Sequence, residues 1–392
     1  MIRKLCKYSA LLAGFGLLTG CWDRIEMDDI ALVMGSGIDI TDDGQLDVSL
    51  QIALPTGTTG SMQSGGKDKK PVLVVSTIGK DGMDVQHKMQ KQLSRRVFLG
   101  HRGVIVIGEK YARQGVDQVL DNLLRTPDAR ANAFIVTTYG CEAKEIMKMP
   151  YDLEQIPAIG INKVMYGEVN LNVKIDDFLS ALSSDGSSPV TAGIRIINKG
   201  TDDEIFSIDR IAVYRENKLA GFLSRNELKA YLLFRGQYER MKMSTQIVPK
   251  EKSFKGTVGI SILGVDKKIR TTIKNGTPEI SVSLKVKGRV WENDTNLNLT
   301  KAENLNLVKK KFTDELQKMV ESLVDRAQKK YQADIFDFGR EVHIEHPYVW
   351  KQIKNQWIDL YPTVPVIVKA DFTIERMGRT QAPPHLKREF VK

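Results

Sequence analysis

The sequence predicts a multi-domain protein of α+β / mixed α/β class, with mixed β-sheets, packed helices and a long helix in the C-terminal domain. Three observations carry this reading. Between Val72 and Met149, short apolar runs alternate with amphipathic stretches, the pattern of strands followed by helices. Asn275-Gly276, the strongest short-range hairpin signal, joins a strand-like run, Val258 to Ile273, to one in which Ile280, Val282, Leu284 and Val286 alternate, with Val290 further along. From Ala302 to Tyr331, Leu305, Val308, Phe312, Leu316, Met319, Leu323 and Ala327 recur at three- and four-residue steps, one face of a long helix.

In chain order, residues 1–20 come first and read as a cleaved lipoprotein signal. Arg3, Lys4 and Lys7 form a basic head. Ser9 to Leu18 is an apolar run of ~10 residues, too short to cross a ~30 Å hydrocarbon core as a helix. Leu18-Thr19-Gly20 then supplies small residues before Cys21, as at a cleavage site. The expected modification is a diacylglyceryl group on the Cys21 thiol, with Cys21 as the mature N-terminus. Two acyl chains on one residue suffice for firm anchoring, at ~0.8 kcal/mol per buried CH₂.

Trp22 to Asp29 is a short acidic spacer. Ile30 to Met34 reads as a buried strand that Gly35-Ser36-Gly37 interrupts, and Asp42-Asp43-Gly44 is a turn. Leu46, Val48, Leu50, Ile52 and Leu54 alternate with polar residues and pair back as a hairpin. Residues 55–71, rich in Gly, Ser, Thr and Lys, read as a mobile loop. Val72–Ile78, Val104–Ile107 and Ala133–Thr138 are expected strands. Met83–Leu93, Tyr111–Leu124 and Glu142–Met149 are expected helices, and together these close an N-terminal mixed α/β domain at 21–150.

Pro150 and Pro157 mark a break into a middle domain at 151–223. Tyr151 to Leu171 lacks a clear period. Ile175–Leu182 is a short helix, Val190–Ile197 and Ile205–Tyr214 are strands, and Leu219–Leu223 returns the chain. Ser224 and Glu227 fit a capping box that opens a helix and a C-terminal α+β domain at 224–380. There the strands form a meander capped by the long helix. Trp350–Trp357 is a short helix, and Thr363–Ile374 is the final strand. Residues 381–392 are a loose basic tail.

Charge and cysteine usage narrow the class. The 392 residues carry a net charge of +10, which falls to +7 when the leader leaves. Such a charge suits an anionic lipid surface. Nucleic acid is excluded as a partner, because basic and acidic residues are interspersed and the leader exports the chain. With Cys6 lost and Cys21 lipidated, Cys141 stands alone and cannot form an intramolecular disulfide. No later stretch reaches ~18 apolar residues, so no second span is expected.

The residues that usually carry chemistry do not assemble. Gly66-Lys67 is followed by Asp68, not by the Ser or Thr of a phosphate loop. No dinucleotide fingerprint lies at a strand–helix junction, and there is no Gly-x-Ser-x-Gly elbow. His343 and His346 frame Glu345, but metal-binding helices space their His pair by four, and Pro347 argues that the segment is extended or ending. Cys141 follows an apolar strand, where a buried inert thiol is the commoner outcome. No catalytic, cofactor-binding or metal residues are therefore expected, and Cys21 is the one functional position.

Three blocks in order resemble the Ger(x)C family, the lipoprotein C subunit of bacterial spore germinant receptors. They are Gly20-Cys21-Trp22-Asp23 with Glu26; Phe98-Leu99-Gly100-His101 with Val104 to Glu109, Leu123 to Pro127 and Arg130; and Gln328 to Tyr331, Ala333 to Phe336, Phe338-Gly339, Trp350 and Trp357. The resemblance implies three mixed α/β domains and no enzyme activity. It also implies a polytopic A subunit and a transporter-like B subunit as partners. The location it implies is the outer face of the cytoplasmic (inner spore) membrane, with a role in receptor assembly and nutrient signalling. Two alternatives remain open: an exported solute-binding lipoprotein with a deep aromatic-lined cleft, and an envelope hydrolase.

Overall fold

The structure is a computed structural model that describes residues 26–54, 71–167, 171–247 and 256–376. Cys21, nearly all of the 55–71 loop and the 381–392 tail lie outside the described residues.

Two sheets organise the chain. The first has nine strands. They are β1 (Ile30–Ile40), β2 (Leu46–Ala53), β3 (Val72–Gly79), β4 (Arg96–Phe98), β5 (Val104–Ile107), β6 (Phe134–Thr138), β7 (Val190–Ile197), β8 (Ile205–Arg215) and β9 (Lys218–Leu223). Their order is β3-β2-β1-β5-β6-β7-β8-β9, with β4 also against β1. The centre is parallel, from β1 through β5 and β6 to β7, and both flanks are antiparallel. A parallel centre is covered on both faces, which is why every residue of β5 and β6 is buried and β5 reads as an unbroken apolar run. Residues 151–223 supply β7, β8 and β9 to this sheet, so the chain on both sides of Pro150 shares one sheet.

The structure corrects several expectations here. β1 does not stop at Gly35-Ser36-Gly37 but runs through to Ile40. The glycines serve close packing: a Cβ on Gly35 would lie 2.7 Å from the Ala158 Cβ, and one on Gly37 would lie 2.7 Å from the Ser49 Oγ. The expected helix Tyr111–Leu124 is two, Glu109–Gln114 and Asp117–Arg125, parted at Gly115 with φ 130°. There the β8–β9 turn docks, its Asn217 carbonyl accepting from Val116 N–H at 3.1 Å. A helix at Pro157–Met165 was not anticipated. It has Pro in its first turn, and apolar residues, Ile159 and Val164 off the buried face included, fall on nearly every side of it, which erases the period that marks an amphipathic helix.

The second sheet follows the order β10-β11-β12-β13, with β10 (Lys242–Ile247), β11 (Gly256–Lys274), β12 (Thr277–Asn293) and β13 (Val366–Arg376). β10 was also missed, although its burial alternates strictly. Asn275 and Gly276 join β11 and β12 at φ 50° and 79°, as a tight hairpin turn demands. The expected meander is corrected at its last step, where β13 pairs with β12 in parallel, Ile280 opposite Val366. A parallel partner requires a crossover, and the long helix supplies it. That helix is α-helical over Ala302–Asp325 and continues as a π-helical turn over Arg326–Tyr331. Val308, Phe312, Leu316, Val320 and Leu323 are fully buried, and Phe312 stacks on Phe372 of β13 at 5.1 Å. The capping box forms as read, Ser224 N–H donating to the Glu227 carboxylate at 2.6 Å. The helix expected at Trp350–Trp357 is two short ones, Pro347–Ile353 and Trp357–Leu360.

Candidate functional site

On one face of the first sheet, β1 and β2 present Ile38, Leu46, Val48 and Leu50. The helices Gly82–Gln90 and Asp117–Arg125 cover that face with Val85, Met89, Val119 and neighbouring Leu123. Asp81 caps the first helix, its carboxylate accepting from Asp84 N–H at 2.9 Å. The two layers do not close completely. They leave a cavity of about 360 Å³, completed by Val97, Leu99, Thr126 and Pro127.

Two buried polar side chains line this apolar space. Arg102 is 7 % exposed, and its Nε and Nη2 atoms have no hydrogen-bond partner among the described residues. Burial pushes its pKa down to about 10. Ser36 is 1 % exposed, and its Oγ is likewise unpartnered. The other charged lining residues, Arg96 and Asp128, are solvent-accessible and pair with each other at 3.4 Å. Sequence reasoning missed both Arg102 and Ser36. The available signal was an arginine between His101 and Gly103, directly before a wholly buried strand.

The residues weighed from the sequence go elsewhere. Cys141 is half-buried, and burial pushes its thiol up to about 11, away from the thiolate that reacts. His343 and Glu345 lie on the helix Phe338–Glu345, so the segment is helical and ends there rather than being extended. The Glu345 carboxylate accepts from Thr271 N–H at 2.6 Å and Thr271 Oγ1 at 2.7 Å, and His346 Nε2 lies 3.0 Å from the Thr271 carbonyl. His343 stacks on Trp350 at 5.9 Å. These groups fasten a helix to β11. No cluster of three His, Cys, Asp or Glu side chains able to hold a metal occurs among the described residues.

Of the three blocks that carry the resemblance, the first lies outside the described residues except for Glu26, and the central one supplies β5 and part of the cavity wall. Leu99, Leu123, Thr126 and Pro127 line the cavity. The terminal block forms a buried knot around Asp334. Its Oδ1 accepts from the N–H groups of Phe336 (3.2 Å) and Phe338 (3.1 Å). Its Oδ2 accepts from Gly339 N–H (2.8 Å) and Trp357 Nε1–H (3.0 Å). Burial pushes the carboxyl up to about 7 against those donors. The knot also reaches the first sheet: Ser188 N–H donates to the Asp334 carbonyl at 2.7 Å, and Tyr331 Oη–H donates to the Phe222 carbonyl at 2.5 Å.

Gly339 packs backbone against backbone on Gly186, and a Cβ there would lie 2.5 Å from the Gly186 Cα and 2.6 Å from Trp357 Nε1. In a helix, Gly→Ala ordinarily stabilises by about 1 kcal/mol. Here the clash reverses the sign, and Gly339→Ala should lose about 1–3 kcal/mol in a denaturant melt. A gain would show that the two segments can part without cost.

Comparison with known proteins places these features. The family described as "Spore germination protein N-terminal domain" matches residues 23–196, and "Spore germination B3/ GerAC like, C-terminal" matches residues 209–378. The chain is 30 % identical to Spore germination protein KC of Bacillus subtilis (strain 168), over 100 % of this chain and 99 % of that one. It is 25 % identical to Spore germination protein B3 of the same organism, over 96 % of this chain and 99 % of that one. The crystal structure of the GerBC protein shares the fold, with a TM-score of 0.57 at 22 % identity, covering 90 % of this chain and 100 % of that one. Likeness along the whole length, in both halves and in fold, makes this chain a member of the Ger(x)C family of spore germination proteins.

Proposed function

We propose that the protein is the lipid-anchored subunit of a spore nutrient germinant receptor, needed for receptor assembly and signalling and performing no catalysis. A diacylglyceryl group on Cys21 holds it at the outer face of the cytoplasmic membrane, which becomes the inner membrane of the spore. There it works beside a polytopic A subunit and a transporter-like B subunit. The anchor raises its effective concentration at the membrane surface, where those partners lie. The observation that carries this reading is the end-to-end likeness to Spore germination protein KC. The leader and the small residues before Cys21 support the anchor. No helix among the described residues is long and apolar enough to cross a membrane.

The test is genetic. In a strain stripped of other nutrient receptors, deleting the gene should abolish germination by one set of nutrients, while non-nutrient triggers still release dipicolinate. Wild-type protein should take up labelled palmitate and restore the response. Cys21→Ala should take up none and restore it poorly. Unchanged germination with every nutrient would defeat the receptor reading, and equal labelling of both proteins would defeat the anchor.

The solute-binding alternative finds partial support. The cavity beside Arg102, at about 360 Å³, is large enough to hold a small molecule, although its lining lacks the aromatic side chains that reading called for.

A further inference from the structure

We propose that the cavity between the first sheet and the helices Gly82–Gln90 and Asp117–Arg125 binds an apolar monocarboxylate. Its carboxylate pairs with the Arg102 guanidinium, and its body lies against Leu50, Val85 and Val119. This goes beyond the receptor reading and stands without it.

An arginine left buried without a partner is a costly arrangement, because desolvation of the cation goes uncompensated. Nothing among the described residues compensates Arg102: its Nε and Nη2 atoms are unpartnered, and no neighbouring acid acts on its pKa. Asp128, the acid in the lining, is engaged by Arg96 at 3.4 Å. The guanidinium fork matches a carboxylate with two parallel N–H···O bonds, and a small shift of this buried, unpartnered side chain toward the cavity it lines would present them. Ser36, in the same lining, carries a second buried polar atom without a partner among the described residues.

The rest of the interior sets the body of the ligand. Ile38, Leu46, Val48, Leu50, Val85 and Met89 offer only apolar surface. An apolar cavity of about 150 Å³ is enough to hold benzene. The 360 Å³ here accommodates a larger body, such as a naphthalene ring system or a medium alkyl chain. One buried cation calls for one negative charge, which disfavours nucleotides and other polyanions.

The test is a calorimetric titration of the full-length chain with decanoate and with 2-naphthoate, each below its aggregation limit, beside the neutral decanamide and 2-naphthamide. At least one acid should bind saturably. Its amide should bind roughly 10- to 100-fold more weakly, the effect of losing a charge-assisted hydrogen bond. The two acids distinguish an aliphatic from an aromatic ligand. Arg102→Met, which keeps the bulk and removes the charge, should bind acid and amide alike. Equal binding of acid and amide by the wild type would overturn the proposal, as would no binding of either acid. Undiminished acid binding by Arg102→Met would do the same. If that variant fails to fold, the acid-to-amide ratio of the wild type decides alone.

Discussion

Replacing Asp334 by alanine should destabilise the protein by about 4 kcal/mol or more, since each buried donor left unpaired costs about 1–3 kcal/mol. Four donors lose their acceptor at once: the N–H groups of Phe336, Phe338 and Gly339, and Trp357 Nε1–H. Asp334→Asn keeps one oxygen and should lose less. Chemical denaturation with Trp fluorescence reads both, and a loss under about 1 kcal/mol for Asp334→Ala would show that water replaces the carboxylate.

The same group gives a pH signature. Its folded pKa is raised from 3.8 to about 7, so the folded state holds the proton more tightly than the unfolded chain. The stability it contributes is present below about 4 and is lost as pH rises through 7. Asp39, pushed up to about 6 by burial, adds to the lower part of that window. Wild-type stability should therefore decline from pH 4 to 7 by an amount that Asp334→Ala lacks. Parallel profiles for the two proteins would remove Asp334 as the source.

Leu316→Ala and Leu323→Ala should each cost about 2–5 kcal/mol, the range for emptying a fully buried leucine site. Both side chains, on the long helix, are completely buried. Leu307, on the same helix but exposed, is the control and should cost little when truncated. Losses below about 0.5 kcal/mol at both buried sites would contradict this packing, because any cavity left there must cost dispersion contacts.

That helix was legible because one face is buried and the other wet, so burial writes a period of 3.6 into the residue types. β12 was legible for the same reason at a period of 2. Pro157–Met165 was not, because a helix with apolar residues on nearly every side carries no contrast. Gly35 and Gly37 misled because a glycine that breaks a strand and one that admits a neighbouring helix look alike in sequence. The parallel arrival of β13 was hidden too, since alternation reports which side a residue faces and not the direction of its partner. Of the candidate site, the apolar walls could be read as core, whereas the isolation of Arg102 could not. Lacking a partner is a property of the surroundings in space, and no residue type announces it.

The parallel pairing of β12 with β13 has a kinetic consequence. The Asn275-Gly276 hairpin joins neighbours in sequence, and such hairpins close in about 1–10 μs. β13 lies beyond the long helix and the whole Asp334 knot, so its docking closes a far longer loop and comes late. Until then one edge of β12 stands bare, with alternate side chains, Ile280, Val282, Leu284 and Val286, that the finished fold buries. A bare edge of that composition is a template for a strand from another molecule. During biogenesis the protein is therefore most exposed to self-association in the interval before its last strand arrives, and chains cut short of Val366 would stay in that interval permanently.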